Sequence, residues 1–185
     1  MDNEIITQCK KGDLEQFSKL YDKYIQQIYR FILYKTCNRE TAEDLTSVTF
    51  MKALEGIQGF NADKASFKTW LYQIARNNVI DHFRSNRETV DLEDAWGVQS
   101  LTDVAKETEQ KLQLKQIEKY MKELKPEQRE IVLLRVWEGH SFAEIAAITG
   151  KTEAAAKMMF KRSMESLTDN LVPLMLLLLT FFHSD

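Results

Sequence analysis

The stretch that decides the fold covers residues 67–84 and reads FKTWLYQIARNNVIDHFR. Its apolar residues recur at steps of three, four and five, which predicts one amphipathic helix with a buried side. The residues predicted to be buried are Phe67, Trp70, Leu71, Ile74, Val79, Ile80 and Phe83. Ser66 stands directly before them and is a favourable N-cap residue. We therefore interpret this stretch as a single helix that begins after Ser66.

The exposed side of this helix admits two interpretations. Its cations and amides are Lys68, Arg76, Asn77, Asn78 and Arg84, followed by Arg87. They alternate with Trp70, Tyr72 and His82, and such a mixture can hold a phosphate backbone and stack on unpaired bases. A solvated helix over a buried aromatic stripe fits the same periodicity.

The composition favours an all-α protein. The 185 residues include only 6 Gly and 2 Pro, while Leu, Ala, Glu, Lys and Gln are common. Cys9 and Cys37 lie far apart, which predicts ordinary thiols in a reducing cytosol rather than a disulfide or a metal site. The acidic start, with Asp2 and Glu4, lacks the apolar core of a signal peptide. We expect a cytoplasmic protein.

The charge is unevenly distributed along the chain. The net charge is -3, but residues 88–116 contain seven acidic residues and three lysines, whereas residues 1–87 contain 13 cations and 11 acids. The flanks can therefore form local basic surfaces. Residues 88–108 also lose helical periodicity and predict a linker, either a plain tether or an acidic mimic of nucleic acid in a basic channel of a partner.

Three helices are predicted before the opening stretch, over residues 3–10, 14–35 and 39–57. Asp13 and Asn38 are expected to cap the second and third. Tyr21 and Val48 fall on their predicted buried stripes. With the helix at 67–84, these elements predict one compact helical domain.

Residues 109–170 predict a second helical domain. Pro126 begins one helix and Gly139 ends it, and then a capping box from Ser141 to Glu144 opens a short helix. Gly150 closes that helix and Thr152 caps the last one, so a three-residue turn separates two short helices as in a helix-turn-helix. The residues predicted to form its core are Ile145, Ala146, Ile148, Ala155, Phe160 and Leu167. A helical hairpin in an unrelated bundle could carry the same caps.

The last stretch, residues 171–182, is almost entirely apolar. At twelve residues it is shorter than the ~20 that a membrane-spanning helix needs. Three interpretations stay open: a helix that packs on the protein, a docking segment for a partner or a membrane surface, and a latch over the DNA-reading helix.

Motifs of catalysis are absent from the sequence. It contains no nucleophile elbow, Walker loop, dinucleotide fingerprint or HExxH motif. Asp81 and His82 are neighbours, and adjacent residues on a helix point in different directions. We predict no catalytic residue, no metal site, no cofactor and no enzyme activity.

Three blocks, in order, carry a family resemblance. They are residues 42–54 (AEDLTSVTFMKAL), residues 67–77 (FKTWLYQIARN) with Asp81 and Arg84, and residues 124–135 (LKPEQREIVLLR) followed by 139–146 (GHSFAEIA). The arrangement resembles the extracytoplasmic-function (group IV) sigma factors of the sigma-70 family, which have a region 2 and a region 4 domain. The match covers residues 10–168.

The resemblance implies an all-α fold of two small helical domains and a function in promoter-specific transcription initiation. It assigns residues 10–87 to region 2, 88–108 to the linker, 109–170 to region 4 and 171–185 to an apolar tail. The implied partners are core RNA polymerase (the clamp helices of its largest subunit and its flap), promoter DNA and an anti-sigma factor. Contact with a membrane is expected only indirectly, or weakly through the tail.

The resemblance also implies three sets of site residues. Those for polymerase binding are Glu43, Asp44, Ser47 and Phe50. Those for reading and melting the minus-ten element are Phe60, Asn61, Lys64, Lys68, Trp70, Arg76, Asn77, Arg84 and Arg87. Those for the minus-thirty-five element are Ser141, Lys151, Thr152, Lys157, Lys161 and Arg162.

Two features depart from the family pattern. Met158 and Met159 stand where the family usually has a Ser-Arg pair, so an Arg that could bind a guanine or a phosphate is lost. The apolar tail from Val172 is the second departure. They favour an alternative: a sigma-like interaction protein, such as a decoy for polymerase or an anti-sigma factor, that does not initiate transcription.

Overall fold

A computed structural model of the protein describes residues 2–36, 38–85 and 124–168. Within these ranges the chain is helical and has no strand, which confirms the all-α prediction. The chain divides into two compact units: residues 2–85 belong to the first, and most of residues 124–168 belong to the second. The predicted linker at 88–108 and the tail at 171–185 lie outside the described residues, as does Arg87.

In residues 2–36 and 38–85, the first unit has four α-helices. They are α1 (Asp2–Lys10), α2 (Phe17–Thr36), α3 (Arg39–Gly56) and α4 (Phe67–Ser85). Short 3-10 turns at Leu14–Gln16 and Ile57–Gly59 precede α2 and follow α3. Helix α2 packs against both α3 and α4, and α3 packs against α4. All four helices predicted in this part of the chain are therefore present.

The ends of these helices follow from local chemistry. Asn38 Oδ1 accepts a hydrogen bond from the Thr41 N–H at 2.8 Å, and Ser66 Oγ accepts one from the Thr69 N–H at 3.1 Å, as predicted for N-caps. The prediction for Asp13 is wrong. A 3-10 turn separates Asp13 from α2, and its carboxylate instead accepts from Gln16 Nε2 at 3.1 Å.

The core of the first unit is built around the ring of Phe67. This side chain is 2% exposed, and its centroid lies 6.4 Å from that of Phe17, 5.8 Å from Tyr24 and 5.9 Å from Phe60. The pairs with Phe17 and Phe60 are edge-to-face, a favoured geometry for aromatic rings. The start of the opening stretch thus anchors α4 against α2 and the segment that follows α3.

Several side chains lie on the side opposite to the one predicted. Tyr21, Val48 and Ile80 were expected in the core but are exposed, whereas Tyr72 and Asn78 were expected on the surface but are buried. For the three residues of α4, the reason is that this helix packs against two helices at once, which widens and turns its buried side. Tyr72 meets Phe31 of α2 with ring centroids 5.1 Å apart.

A chain of polar side chains closes the seam between α3 and α4. Lys52 Nζ donates to Asn78 Oδ1 at 2.6 Å, and Asn78 Nδ2 donates to Thr49 Oγ1 at 3.0 Å. Thr49 Oγ1 in turn donates to the Leu45 carbonyl at 2.6 Å. Asn78 is only 3% exposed, so both ends of its buried amide are satisfied within the fold.

Replacing Asn78 with Ala should destabilise the protein by about 1–3 kcal/mol, because it removes two hydrogen bonds in a buried seam and leaves Thr49 with one bond fewer. Urea unfolding followed by circular dichroism measures this change in the free energy of unfolding. Asn77→Ala is the matched control, since Asn77 is the exposed neighbour and its loss should change stability by less than ~0.5 kcal/mol. Equal effects of the two substitutions would contradict the role assigned to Asn78.

Residues 124–168 contain three α-helices. They are α5 (Pro126–Val132), which continues through a π-helical turn at Leu133–Trp137, then α6 (Phe142–Thr149) and α7 (Glu153–Thr168). Pro126 stands in the first turn of α5, as predicted. Gly139 and Gly150 have φ angles of +68° and +70°, a conformation that favours glycine and ends the helix before each of them.

The caps of α6 and α7 form as predicted. The Ser141 N–H donates to the Glu144 carboxylate at 2.8 Å while Ser141 Oγ accepts from the Glu144 N–H at 3.2 Å, a complete capping box. Thr152 Oγ1 accepts from the Ala155 N–H at 3.1 Å. Ala155 itself is exposed rather than buried, because Ala156 and Ser163, two turns apart, lie on the buried side of α7.

Within residues 2–36, 38–85 and 124–168, no helix combines the length and the apolar character that crossing a membrane requires. The apolar stretch at 171–182 is not among these residues.

Candidate nucleic-acid and protein interfaces

The outward side of α3 carries three of the four residues predicted to bind a protein partner. Glu43, Asp44 and Ser47 are all exposed. Glu43 forms an ion pair with Arg39 at 2.9 Å, and the Ser47 hydroxyl donates to the Glu43 carbonyl at 3.0 Å. These residues lie within one turn of each other and form a continuous polar surface.

The fourth residue, Phe50, was predicted to contact a partner but lies in the core. It is 4% exposed, and its ring lies 6.5 Å from that of Phe17 and 4.8 Å from that of Tyr21. A ring in the core cannot contact a partner while the domain stays folded.

Two apolar residues that the sequence assignment missed lie outward instead. Val48 is 37% exposed and Met51 is 61% exposed. The buried side of α3 is filled partly by Thr46 and Thr49, which turns the apolar residues at 48 and 51 towards solvent. We call Asp44, Ser47, Val48 and Met51 the α3 strip. Methionine is enriched in protein–protein interfaces, so the strip has the character of a protein-binding surface.

The loop between α3 and α4 is held from within. Phe60, predicted to contact DNA, is 5% exposed and packs on Phe67 and on Trp70, with ring centroids 5.9 Å and 5.1 Å away. Its side chain is therefore a core anchor of the loop. Asn61 and Lys64 are exposed, and Asn61 Oδ1 accepts from the Asp63 N–H at 2.8 Å, which stabilises a tight turn.

Three of the predicted DNA-binding residues share one side of α4. Trp70, Asn77 and Arg84 follow each other at intervals of seven residues, close to two helical turns. Asn77 and Arg84 are exposed and Trp70 is half-buried, and Arg84 forms an ion pair with Asp81 at 3.0 Å. We call these three residues the α4 strip. Its first member contacts the loop through Phe60, so the loop and the strip are continuous.

Lys68 and Arg76 lie away from the α4 strip. Both are half-buried, and Lys68 Nζ lies 5.9 Å from the centroid of the buried Tyr72 ring. With about 3.6 residues per turn, Lys68 lies nearly opposite the strip and Arg76 about a quarter of a turn from it, so neither belongs to the same line of residues.

Trp70 forms one edge of the aromatic core. Its indole centroid is 5.8 Å from that of Phe67, and a Cβ atom added to Gly56 would lie only 3.2 Å from Trp70 Cζ2. A side chain at position 56 would therefore press on the indole. Stacking of an unpaired base on the exposed part of Trp70 stays a prediction.

An open groove with a volume of about 500 Å³ runs between α3 and the end of α4. Val48 and Lys52 line one wall, and Asp81 and Arg84 line the other. The groove thus contains one member of the α3 strip and one member of the α4 strip.

The predicted contacts of the second unit are partly engaged in local structure. Ser141 and Thr152 accept backbone N–H groups as caps, and a hydroxyl that accepts can still donate its own hydrogen to a phosphate. The lysines form ion pairs: Lys151 with Glu127 at 2.9 Å, Lys157 with Glu153 at 2.6 Å, and Lys161 with Glu165 at 3.7 Å. Arg162 is exposed. Such pairs contribute little stability, so a phosphate can replace the carboxylate.

Comparison with known families matches two separate parts of the chain. The Sigma-70 region 2 family matches residues 20–89, and the family described as Sigma-70, region 4 matches residues 114–167. The ECF RNA polymerase sigma factor SigC of Mycobacterium tuberculosis is 30% identical over 179 residues, which cover 93% of this chain and 94% of SigC. The chain belongs to the extracytoplasmic-function sigma factors.

Other relatives agree with this family. The ECF RNA polymerase sigma factor BldN of Streptomyces coelicolor is 38% identical over 170 residues, which cover 89% of this chain but only 63% of BldN. The sigma factor RpoE, solved in complex with the anti-sigma factor NepR from Bartonella quintana, superposes with a TM-score of 0.68 at 24% identity. That superposition covers 84% of this chain and 96% of RpoE, and it shows a shared fold.

Helix α1 lies outside the matched region 2 of this sigma factor, and yet it is hydrogen-bonded to the loop between α3 and α4. Lys10 Nζ donates to the Phe60 carbonyl at 2.6 Å, and Gln58 Nε2 donates to the Lys10 carbonyl at 3.3 Å. The sequence assignment missed Lys10, because a contact across 50 residues leaves no local pattern.

The other end of α1 is fixed to α2. The Asp2 carboxylate accepts from Lys23 Nζ at 2.6 Å and also from the Tyr24 hydroxyl. Burial raises the pKa of Asp2, but these two hydrogen bonds, together with the positive charges of Lys23 and the amino terminus, hold the pKa below its ordinary value. Helix α1 is thus bonded at one end to α2 and at the other to the loop between α3 and α4, and its residues Ile6 and Cys9 are buried.

Lys10→Met keeps the aliphatic stem and removes the ammonium group that holds the Phe60 carbonyl. We expect the backbone amides of residues 61–66 to exchange with solvent roughly tenfold faster, as the loss of ~1.5 kcal/mol from a charge-assisted hydrogen bond implies. Hydrogen–deuterium exchange with mass spectrometry measures this rate. Lys11→Met, at the exposed neighbouring position, should leave it unchanged. If Lys10→Met also leaves it unchanged, the loop does not depend on α1.

Proposed function

We propose that this sigma factor binds core RNA polymerase and directs promoter-specific transcription initiation. The observation that carries this proposal is that α3 and α4, joined by the Asn78 seam, each present an outward strip of different chemistry. The α3 strip combines a carboxylate with apolar side chains and suits a protein partner. The α4 strip combines an indole, an amide and a guanidinium, and suits nucleic acid.

Successive segments of the chain are proposed to bind different partners. Residues 10–87 bind the clamp helices of the largest polymerase subunit and open the minus-ten element. Residues 109–170 bind the flap and the minus-thirty-five element, with residues 88–108 as the linker between them. Glu43 joins the α3 strip in polymerase binding, while Asn61, Lys64, Lys68, Arg76 and Arg87 support the α4 strip on DNA.

We further propose an anti-sigma factor as a third partner and the cytoplasm as the location. RpoE, which shares the fold, forms a complex with an anti-sigma factor, and this motivates the first proposal. A regulator of this kind needs no chemistry of its own, so we propose that the protein is not an enzyme and that catalysis belongs to the polymerase.

In vitro transcription with purified core polymerase from a heterologous bacterium tests the proposed function. The template library should carry randomised segments at the minus-ten and minus-thirty-five positions, so that no promoter sequence is assumed. Promoter-dependent transcripts that appear only when the protein is added are the expected result. Core polymerase alone is the control.

A second candidate is the decoy that binds polymerase without initiating transcription. The observation that favours it is Met158, which is 52% exposed on α7 where the family usually places a polar residue. The same transcription experiment separates the two functions, because a decoy would bind core polymerase and yield no promoter-dependent transcript.

Asp44→Arg should weaken binding to core polymerase by at least about tenfold, since it places a cation where the partner is expected to meet a carboxylate. The exposed position leaves the fold intact, which circular dichroism can verify. Biolayer interferometry with immobilised core polymerase measures the affinity. Asp22→Arg, an equal charge change at an exposed position of α2, is the control and should bind normally. Wild-type affinity of the Asp44 variant would contradict the polymerase-binding role of the α3 strip.

A further inference from the structure

The outward side of α7 is apolar in its first half. Met158 is 52% exposed, and Ala154 and Ala155 are exposed one turn before it. Residues three and four apart lie next to each other on a helix, so these three side chains form one surface. We call them the α7 apolar face. The buried side of α7 includes Ala156 and Ser163. Among the described residues, the apolar face therefore lies outside the core that α7 helps to form.

Two of the three cations near this face form ion pairs, and the third, Arg162, is exposed one turn after Met158. Lys157 Nζ lies 2.6 Å from a carboxylate oxygen of Glu153, and Lys161 Nζ lies 3.7 Å from one of Glu165. Both pairs connect residues four apart along α7. Met158 and the two alanines therefore offer an apolar contact next to these charged side chains.

A helix-turn-helix places the first half of its second helix against base edges in the major groove. The base edges there present hydrogen-bond donors and acceptors, with one apolar exception, which is the C5-methyl group of thymine. We propose that Met158, supported by Ala154 and Ala155, recognises thymine in the minus-thirty-five element through apolar contact with this methyl group. The inference rests on the proposed function and adds to it the base that α7 recognises.

The chemistry of methionine suits this contact. Its unbranched thioether side chain adapts to the surface it meets, so it can reach a methyl group without a fixed hydrogen-bond geometry. Removing one methyl group from the contact should weaken binding about fourfold, the factor that corresponds to ~0.8 kcal/mol for one buried methyl or methylene group.

The test exchanges thymine for uracil, which removes the C5-methyl group and leaves the base-pairing groups unchanged. Holoenzyme reconstituted from core polymerase and the full chain first selects a minus-thirty-five element from a randomised duplex library. Each thymine of the selected element is then replaced singly, and the dissociation constant is measured. At one or more positions the wild-type protein should bind the uracil duplex about fourfold more weakly.

Variants at residue 158 then assign the effect. Met158→Ala should bind the thymine duplex as weakly as wild type binds the uracil duplex, with no further loss on exchange. Met158→Leu keeps an apolar side chain and should keep the preference for thymine. Met159→Ala is the matched control, since Met159 is half-buried on an adjacent side of α7 and should leave the uracil penalty in place.

Two results would overturn the inference alone. One is a selected element whose uracil versions all bind as well as the thymine duplex, and the other is a uracil penalty that Met158→Ala leaves unchanged. Failure of the holoenzyme to select any element would instead contradict the proposed function, and this inference with it.

Discussion

The buried amide of Asn78 joins α3 and α4, the two helices that carry the candidate binding surfaces of the first unit. Apolar side chains allow neighbouring helices to slide by small amounts, whereas a hydrogen-bonded amide with fixed partners on the facing helix allows only one register. Lys52 and Thr49 provide those partners, one for the carbonyl and one for the amino group. Because α3 carries the protein-facing strip and α4 carries the DNA-facing strip, this register also sets the relation between the two surfaces.

Residues 124–168 are organised by a different means. There the ends of the helices are fixed by short-range bonds, namely the reciprocal bonds of Ser141 and Glu144 and the hydroxyl of Thr152. These bonds determine where α6 and α7 begin, and they are independent of what the outward side of α7 carries. The residues on that side, such as Met158, can therefore vary without altering the motif.

Most helix ends, though not the start of α2 after Asp13, could be predicted from the sequence because their causes lie within three or four residues. Asn38, Ser66 and Gly139 each act on their own backbone neighbourhood, and the structure agrees with the prediction at all three. Burial could not be predicted as well, because it depends on how many helices a given helix meets. Tyr72 and Asn78 were assigned to the exposed side from a pattern that assumes one packing partner, and both lie in the core. Phe50 received its partner-facing role from the family resemblance, and it lies in the core as well.

Candidate site residues also fall into two groups: those that local spacing identifies and those whose position depends on tertiary packing. Trp70, Asn77 and Arg84 could be grouped from spacing alone, since a seven-residue interval returns to the same side of any helix. Val48 and Met51 were missed because polar threonines, rather than apolar residues, fill the buried side of α3. Lys10 was missed because its partner, the Phe60 carbonyl, belongs to a segment 50 residues away.

The ion pairs of the lysines near and within α7 have a consequence for the ionic-strength dependence of DNA binding. A cation that is free in the unbound protein gains a phosphate as counterions leave the DNA, and each such contact steepens the loss of affinity with added salt. Lys151, Lys157 and Lys161 must instead exchange a carboxylate for the phosphate. Added salt weakens both the pair that is broken and the contact that forms. The affinity of this half of the protein for DNA should therefore fall less steeply with salt than its number of phosphate contacts alone implies.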